Sequence, residues 1–527
     1  MVHDYVIAGA GSAGCLLAHR LTEDPSTRVL LVEAGGARLD RLVGIPAAWP
    51  KLLRGRHDWH FFTERQEALR GRTIFIPRGK GLGGSSAINV QMYLRGHRAD
   101  FDTWAQQGNH GWSYKDVLPY FRRCEDNSRG AGPYHGVGGP IAVSDLRDPN
   151  PLTAPFVHAC MEVGIPHNPD PNGAELDGVA RVQVTQRAGR RCSAADPLLG
   201  AGGRRPNLTI VPDAHVTRVT FEGRRATGIE YIQGGRRITV QAARETILSA
   251  GAIGSPQLLM LSGIGSPEDL RRHGIAVIHA APAVGRNLVD HPLVCMHIRC
   301  SQPVTLASAE STPNLLRYFI RRRGPLSSNG VEAAAFARTR PELEAPDLEL
   351  AHAAVLYERE WERPPKEHGF TIGVVALQPL SRGFVTLSSP DPFAAPVIQP
   401  HLVSAAADLD VLVHGLRLAR RIVAAPAFRD WQAGEIAPGS ERQSDDELRE
   451  FVRETVHTIY HPVGTCRMGI DDTAVVDPHL RVRGVENLRV VDASIMPTIP
   501  RGHTNAAAMM IGEKAADLLR AAKEEHG

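Results

Sequence analysis

The sequence predicts an α/β protein, in which a discontinuous, Rossmann-like nucleotide-binding domain is joined to a second domain built on a mainly antiparallel sheet with helices. Three observations predict this fold. A strand and a G-x-G-x-x-G turn open the chain, a similar strand–glycine–helix unit returns at residues 246–261, and a last short strand follows at 488–492. With 527 residues, the chain exceeds the roughly 250–300 residues that one hydrophobic core usually holds, so we expect two domains.

The opening stretch has the pattern of a dinucleotide-binding turn. Residues 5–8 form a short apolar run, typical of a buried parallel strand, and residues 15–21 have a helical pattern. Between them, Gly9 permits the tight turn and Gly11 lets a pyrophosphate approach the backbone. Gly14 lets the helix pack closely on the sheet, and the free N–H groups at the start of the helix suit phosphate oxygens. The stretch therefore predicts a site for a dinucleotide.

The next predicted strand ends in an acid. Residues 28–32 have the pattern of a second strand, and Glu33 follows at the position where a carboxylate can accept hydrogen bonds from an adenosine ribose. An acid at this position favours a ribose without a 2′-phosphate. Taken alone, the motif fits NAD and FAD equally well, so the choice stays open at this point.

A second glycine cluster covers residues 78–89, with the sequence RGKGLGGSSAIN. Its backbone amides could form a nest for phosphate or for the polar edge of a flavin, and a helical stretch is expected directly after it. The alternative interpretation is a flexible surface loop. Ile88 and Val90 place the cluster among apolar residues, which favours the binding role.

The middle of the chain predicts a helix, a crossing between domains and a meander. Residues 102–124 have a helical pattern, and the Pro-, Asn- and Gly-rich stretch 149–178 indicates the crossing. Short strands of an antiparallel meander are expected at 209–211, 215–221, 227–232 and 237–242. Residues 246–250 then return to the parallel sheet as a separate strand, which a helix at 257–261 follows.

The later part predicts the second domain. Strand patterns occur at 347–356, 370–377 and 384–387, and a helical pattern covers 406–422. We therefore expect a nucleotide-binding domain made of residues 1–295 and 455–527, with excursions at about 40–75 and 150–205. Residues 296–454 are expected to form the substrate-binding domain.

Composition and charge argue against several classes of partner. The 60 basic and 57 acidic residues give a net charge of +3, which indicates neither nucleic acid nor an acidic membrane surface. No apolar run approaches the ~20 residues of a membrane span. The 7 cysteines are scattered and form no CxxC pair, so we expect free thiols and no metal site. The first strand leaves no room for a signal peptide, which predicts a cytoplasmic location and leaves peripheral docking open.

Five ordered blocks are similar to one family, the glucose-methanol-choline (GMC) flavoprotein oxidoreductases. Besides the opening motif and residues 79–89, which continue through Tyr93, Gly96 and Asp102, they are GAIGSPQLLMLSGIG at 251–265, VGRNLVDH at 284–291 and HPVGTCRMG at 461–469. The nearest overall resemblance is to bacterial choline, sorbose and polyethylene-glycol dehydrogenases. The resemblance implies resident FAD, a small-molecule alcohol as substrate, and an electron acceptor that is a quinone, a dye-like acceptor or dioxygen.

The resemblance also implies which residues contact FAD. Those expected around the ADP half are Gly9, Gly11, Ser12, Ala13, Gly14, Glu33 and Ala34. Those expected along the pyrophosphate and flavin are Arg78, Gly84, Ser85, Asn89 and Met92, and further contacts are expected from Val216, Ala250, Asp492, Ala493 and Thr504. Ile88 stands where some members attach the flavin covalently through a histidine, so non-covalent FAD is expected.

Two histidines are the predicted catalytic groups. The expected substrate is a primary alcohol. Its oxidation requires loss of the hydroxyl proton and transfer of the α-hydride to flavin N5. A neutral imidazole with a pKa near ~6.5 suits the proton transfer. His461 occupies the family's catalytic position, and His503 matches its second position, where it would orient the substrate oxygen. Asn505 is the fallback for that second role.

Several alternatives stay open. Nothing in the sequence separates a dehydrogenase from an oxidase that uses dioxygen. The family also contains hydroxynitrile lyases, which are a second alternative. A third alternative is a flavin-binding protein without catalysis. His291 and His457 are interpreted as structural. Glu332 could meet a cationic substrate such as choline, although similar glutamates occur in members with neutral substrates.

Overall fold

The structure is a computed structural model and describes residues 2–37, 40–199, 205–357 and 367–525. The α-helices in this part of the chain are α1 (Ser12–Leu21), α2 (Arg98–Gln106), α3 (Tyr114–Cys124), α4 (Thr153–Glu162), α5 (Asp196–Leu199), α6 (Gly251–Leu261), α7 (Pro267–Arg272), α8 (Thr312–Arg321), α9 (Ala406–Ala424), α10 (Asp445–Thr455) and α11 (Thr504–Glu525).

The strands of the same residues are β1 (His3–Ala8), β2 (Val29–Val32), β3 (Phe61–Phe62), β4 (Phe75–Ile76), β5 (Glu125–Asn127), β6 (Ile141–Val143), β7 (Gly178–Arg181), β8 (Gln186–Arg187), β9 (Arg190–Arg191), β10 (Leu208–Val211), β11 (Ala214–Glu222), β12 (Arg225–Gln233), β13 (Arg236–Leu248), β14 (Ile264–Gly265), β15 (His279–Ala280), β16 (Arg286–Leu288), β17 (Pro292–Cys300), β18 (Val331–Ala337), β19 (Leu348–Ala353), β20 (Gly369–Ala376), β21 (Gly383–Thr386), β22 (Val397–Gln399), β23 (Gln432–Ala437), β24 (His457–Thr458) and β25 (Leu488–Val490).

The first large sheet confirms the Rossmann-like prediction. Its order is β10-β2-β1-β13-β12-β11, with β25 pairing β13. The strands β10, β2, β1, β25 and the end of β13 are parallel, and β1 lies between two partners, with Ile7 opposite both Leu31 and Ile247. A strand buried on both faces needs continuous apolar side chains, which residues 5–8 of β1 and the whole of β2 have. The helices α1 and α11 pack together against this sheet.

The predicted meander differs from the observed one in two places. The segments 237–242 and 246–250 are a single 13-residue strand, β13, which is antiparallel to β12 in its first part and parallel to β1 in its last. No glycine or proline interrupts this segment, so one strand can serve both halves of the sheet. The segment at 209–211 was expected in the meander, but β10 pairs parallel with β2.

The second large sheet is antiparallel throughout, as predicted. Its order is β23-β17-β20-β19-β18-β7, with β24 pairing β17. Helices α4, α9 and α10 cover one face and build an apolar core with it. Strands β7 and β24 come from outside residues 296–454, and β17 begins at Pro292. The proposed domain boundaries therefore stay a prediction, while the two-sheet architecture is confirmed.

Two helical predictions were wrong in detail. The helix expected at 102–124 is divided into α2 and α3, because Gly108 and Gly111 adopt positive φ and Ser113 caps α3 in a reciprocal hydrogen bond with Asp116. The second glycine cluster leads into a short 3-10 helix, Gly84–Ala87, and not into an α-helix.

The expected excursion after Gly36 contains a 3-10 helix, Pro46–Leu52, and the β3–β4 hairpin.

Candidate active site

A cavity of about 420 Å³ lies between the two large sheets. One wall is formed at the carboxyl ends of the parallel strands, where Gly9, Glu33, Ala250 and Asp492 follow β1, β2, β13 and β25. The other wall is the open face of the second sheet. The cavity lies where ligands bind in open α/β sheets, at the carboxyl ends of the strands.

Glu33 ties three loops together at this wall. Its carboxylate accepts hydrogen bonds from the backbone N–H groups of Ala10 (2.9 Å), Gly35 (2.9 Å) and Gly81 (2.9 Å). The burial of this carboxyl raises its pKa, and the three donors oppose that shift. Glu33 therefore holds the first glycine turn and the second glycine cluster side by side, a role that the strand pattern alone did not indicate.

Two glycines permit the close approach of backbones. A Cβ on Gly14 would lie 2.1 Å from the carbonyl oxygen of Gly9, and a Cβ on Gly84 would lie 2.7 Å from Cα of Gly11. Gly84 also has a φ of +51°, which favours glycine. Gly14 supports the packing of α1 on β1 and does not line the cavity.

The N-termini of three helices border the cavity: those of α1, α6 and α11. Their free N–H groups and positive dipole ends suit the negative charges of a pyrophosphate. Ser12 at the start of α1 donates a hydrogen bond from Oγ to Oδ1 of Asn505 in the first turn of α11 (2.6 Å). Asn505 is therefore engaged by α1, which disfavours its fallback role.

Apart from Gly14, the predicted cofactor residues all line this cavity. They are Gly9, Gly11, Ser12, Ala13, Glu33, Ala34, Arg78, Gly84, Ser85, Asn89, Met92, Val216, Ala250, Asp492, Ala493 and Thr504. The two predicted catalytic histidines line it as well. Residues from the first 34 positions and from the last 40 thus share one wall, although their contacts to a cofactor stay a prediction.

His461 lies beside a second, fully buried histidine. Nδ1 of His461 and Nδ1 of His291 are 3.1 Å apart, and Nε2 of His291 is 3.1 Å from the carbonyl oxygen of Leu377. A carbonyl can only accept, so Nε2 of His291 carries a proton. Burial lowers the pKa of His291 to about 3, so its ring is neutral and its Nδ1 is an acceptor.

This network determines the tautomer of His461. Because Nδ1 of His291 accepts, Nδ1 of His461 donates. Burial is the largest cause that lowers the pKa of His461 well below 6.5, and the positive charge of Arg78 acts in the same direction. The ring is therefore neutral, and its unprotonated Nε2 can take up a proton.

His503 faces His461 and has an acidic partner. The two ring centroids are 4.8 Å apart. Nε2 of His503 is 3.3 Å from Oε1 of Glu349, a buried side chain on β19 that lines the cavity. Among the described residues, nothing hydrogen-bonds Oε2 of Glu349. A carboxylate oxygen can only accept, so Nε2 of His503 is the donor in this contact.

A buried aspartate supports the loop that carries His461. Oδ1 of Asp290 accepts hydrogen bonds from the backbone N–H groups of His291 and His461, both at 2.8 Å. Burial raises the pKa of Asp290 to about 7, while these bonds and the charge of Arg78 oppose that shift. Asp290 thus fixes both histidines through the backbone.

Small side chains leave room beside the two histidines. Ala351 and Ala353 follow Glu349 at alternate positions of β19, and Gly373 lies opposite Ala351 on β20. Leu293 on β17 adds apolar surface to the same wall. This part of the cavity can hold a small molecule that is apolar except where it meets the histidines.

Sequence reasoning missed Glu349, which had no local signal at all, and considered one residue that lies elsewhere. His291 was interpreted as structural; it contacts His461 but does not line the cavity, and its role stays a prediction. Glu332 is outside the cavity wall, and its carboxylate accepts hydrogen bonds from Ser328, Thr153 and the backbone of Asn150. His457 is also outside the wall and bonds the Thr458 carbonyl.

One group of potential metal ligands lies away from the cavity wall. Its members are His97, Glu175 and Asp177. Nδ1 of His97 accepts the backbone N–H of Ala99, so a neutral ring carries its proton on Nε2, the nitrogen that faces Glu175. The carboxylates also pair with Arg98 and Arg338. These contacts do not favour a metal.

Two further observations concern membrane-spanning helices and the cysteines. Among the described residues, no helix combines the length and the apolar character that crossing a lipid bilayer requires. All cysteines are free and buried, as predicted.

Comparison with known proteins gives concordant matches. The N-terminal and C-terminal GMC oxidoreductase family models match residues 3–293 and 379–512. The alcohol dehydrogenase [acceptor] of Pseudomonas putida is 42% identical, over 98% of this chain and 96% of the relative. Human mitochondrial choline dehydrogenase is 41% identical, over 98% of this chain and 90% of the relative. The crystal structure of pyridoxine 4-oxidase from Mesorbium loti superposes with a TM-score of 0.91 at 34% identity, over 98% and 99% of the two chains.

The residues of the cavity fit the flavin cofactor that this family binds. Closely packed glycine loops, three helix N-termini and the apolar side chains of the second sheet offer partners for phosphates and for an aromatic ring system. The sheet order, the cavity and the matches agree along nearly the whole chain. The chain belongs to the GMC oxidoreductase family, as its five sequence blocks predicted, and is a flavoenzyme that oxidises an alcohol.

Proposed function

We propose that the protein is an FAD-dependent alcohol dehydrogenase in which His461 is the base and His503 orients the substrate. The observation that carries this proposal is the pair His461 and His503 at one wall of the cavity that the glycine loops also line, with His291 bonded to His461. This arrangement supplies one neutral histidine with a free Nε2 and a second histidine held by an acid.

FAD would be held by the glycine loops, by Glu33 and by the three helix N-termini, and it supplies a hydride acceptor, N5, when bound. Ile88 lines the cavity and has no nucleophilic atom. We therefore propose that FAD is bound without a covalent link at this position. Arg78 also lines the cavity and contributes positive charge, although burial lowers its pKa.

The proposed reaction removes a proton and a hydride from the alcohol, which together amount to two electrons and two protons. Nε2 of His461 accepts the hydroxyl proton, the C–O bond becomes a carbonyl, and the α-hydrogen leaves as a hydride. His503 is held by Glu349 through Nε2, and its ring centroid is 4.8 Å from that of His461, so it forms one side of the space in which the alcohol would lie. Confining the alcohol beside the two rings aligns the carbinol carbon, an effect that can contribute several kcal/mol.

The proposed substrate is a small primary alcohol. The space beside Ala351, Ala353 and Gly373 favours an unbranched or aromatic group, and its apolar wall favours a substrate without charge near Leu293. The names of the relatives support alcohols as a class, since one is an alcohol dehydrogenase and another a choline dehydrogenase.

The electron acceptor and the location are further parts of the proposal. We propose a quinone or dye-like acceptor, on the strength of the relatives named dehydrogenases, and a cytoplasmic location, on the strength of the free cysteines. An oxidase is the second candidate, favoured by the match to pyridoxine 4-oxidase. Release of hydrogen peroxide, measured against dye reduction, distinguishes the two. Anaerobic bleaching of the flavin by an alcohol excludes a hydroxynitrile lyase.

The test of His461 is rapid, anaerobic mixing of the enzyme with alcohols while flavin absorbance is followed. His461→Ala should remain folded and yellow, with flavin reduction slowed at least about a hundredfold by loss of the base. His457→Ala is the matched control, because this buried histidine lies outside the cavity wall; its rate should stay within about threefold of wild type. A normal rate in His461→Ala would refute the assignment.

A further inference from the structure

The outer face of helix α8 carries three large apolar side chains in contact with water. Leu316, Phe319 and Ile320 are 56%, 58% and 75% exposed. They are spaced i, i+3 and i+4, so they lie together on one side of the helix. We propose that this surface, defined by residues 316, 317, 319–321 and 323 and called here the α8 surface, docks on an anionic phospholipid bilayer.

The apolar face is held outward by the rest of the fold. On the inner side of the helix, Tyr318 is fully buried in a cluster with Ala309 and Leu326, and its hydroxyl donates to the carbonyls of Gly44 (3.2 Å) and Gly189 (3.1 Å). The helix therefore cannot turn its outer face inward without losing this anchor. Adjacent exposed side chains of this size are typical of interaction sites.

Arginines surround the apolar face. Arg317, Arg321 and Arg323 are exposed on α8 or directly after it, and Arg322 lies over the ring of Tyr318. Arg323 donates to the carbonyl of Arg147 on the neighbouring loop, which adds another arginine. Within the described part of the chain, the acid that forms an ion pair with this set is Asp148, at 2.6 Å from Arg317. The net charge of +3 for the whole chain does not reveal this local excess of positive charge.

This combination of charge and shape favours a lipid surface. An apolar face bordered by arginines is the pattern of helices that lie in the bilayer interface, where apolar side chains enter the acyl boundary and cations meet anionic headgroups. A second copy of this chain is disfavoured as the partner, because a two-fold contact through α8 would bring the exposed arginines of both copies into one interface.

Docking would place one edge of the cavity near the membrane. The 3-10 helix Pro46–Leu52 packs beside the segment that follows α8, and Trp49 bonds the carbonyl of Asn329 at 3.0 Å. Trp49 and Leu53 also line the cavity. The α8 surface is thus connected to the cavity wall through the segment after α8 and the 3-10 helix Pro46–Leu52.

The experiment is co-sedimentation of the flavin-loaded enzyme with vesicles. One set contains phosphatidylcholine alone and the other about one-third phosphatidylglycerol, each at about 0.1 M and about 0.5 M salt. We expect binding to the anionic vesicles that falls with salt. The triple variant Leu316→Ser/Phe319→Ser/Ile320→Ser should lower the partition coefficient at least about tenfold, and Arg321→Gln/Arg323→Gln should also remove most of the salt dependence.

Matched variants and a second measurement keep the result interpretable. Leu380→Ser/Ile470→Ser changes exposed apolar side chains outside α8 and should bind as wild type does. Every variant should keep its flavin and its alcohol-driven reduction, since none of these residues lines the cavity. Equal binding by the triple variant, or no binding to anionic vesicles, overturns the proposal. Sedimentation velocity that shows a dimer lost in the triple variant would also overturn it, by assigning the surface to a second copy.

Discussion

Nδ1 of His291 and Nδ1 of His461 face each other at 3.1 Å, and the direction of the hydrogen bond between them is determined by the carbonyl of Leu377. The carbonyl accepts from His291, so His291 must accept from His461. A backbone carbonyl does not titrate, and the network therefore keeps the same direction over the working pH range. The consequence is a His461 ring whose free nitrogen is always Nε2.

His291→Phe removes the acceptor of this network while keeping an aromatic ring. We expect flavin reduction by an alcohol to slow by about tenfold to a hundredfold, because His461 can then adopt the tautomer with a protonated Nε2. Stopped-flow absorbance measures the rate. His457→Phe is the control for replacing a buried histidine and should react at nearly the wild-type rate. Equal rates for the two variants would show that His291 does not set the tautomer.

Glu349→Gln tests the partner of His503. Replacing a charged acceptor with a neutral one weakens its hydrogen bond, so we expect flavin reduction by an alcohol to be about tenfold slower in stopped-flow measurements. Glu332→Gln is the matched control, since Glu332 is buried on the neighbouring strand but lies outside the cavity wall. Its rate should stay within about threefold of wild type. A Glu349→Gln rate that also stays within this range would remove Glu349 from the site.

Asp290→Asn should change how stability depends on pH. The pKa of Asp290 is raised to about 7 in the folded protein, against about 3.9 for an unfolded aspartate. Between these values the folded state retains a proton that the unfolded state has released, so the free energy of unfolding falls as pH rises and the loss is complete above the folded pKa.

The asparagine variant lacks this dependence. The free energy of unfolding of the variant minus that of wild type should therefore increase by about 2–3 kcal/mol between about pH 5 and about pH 8. Denaturant titrations of both proteins at the two pH values measure the difference, and other titrating groups cancel because they are shared. A constant difference would mean that Asp290 is ionised in the folded protein at both pH values.

Gly84→Ala should reduce the flavin content of the protein. The added Cβ would meet Cα of Gly11 at 2.7 Å and occupy a backbone with φ of +51°, so the two glycine loops would have to separate. Gly71→Ala provides the control, since Gly71 has a φ of +75° but nothing within 4 Å of the added atom. The ratio of flavin to protein absorbance compares them, and full occupancy in Gly84→Ala would contradict the close packing.

The parts of the fold with short-range causes could be predicted from the sequence. The β1 strand, the glycine turn and α1 follow each other within a few residues, and the antiparallel second sheet is visible in runs such as 370–377. The division of the helix at 102–124 also had a local signal, the capping pair Ser113 and Asp116, which outweighs the helical pattern on either side.

The contacts between distant residues could not be predicted. Glu349 and His503 are 154 positions apart, and a glutamate on a strand has no pattern that separates a site residue from a buried structural one. His291 stands inside a family block, yet its role depends on the Leu377 carbonyl, which only the sheet brings near. The continuity of β13 likewise depends on two partner strands and not on its own sequence.

The contact between α1 and α11 sets the order in which this protein can mature. Ser12 bonds Asn505, and Arg20 bonds Glu513, each pair 493 positions apart. During synthesis, the first nucleotide-binding turn therefore emerges from the ribosome long before its last supporting helix exists. The packing of α1 on α11 can therefore form only after translation has reached that helix, and a chain truncated before it would lack these contacts.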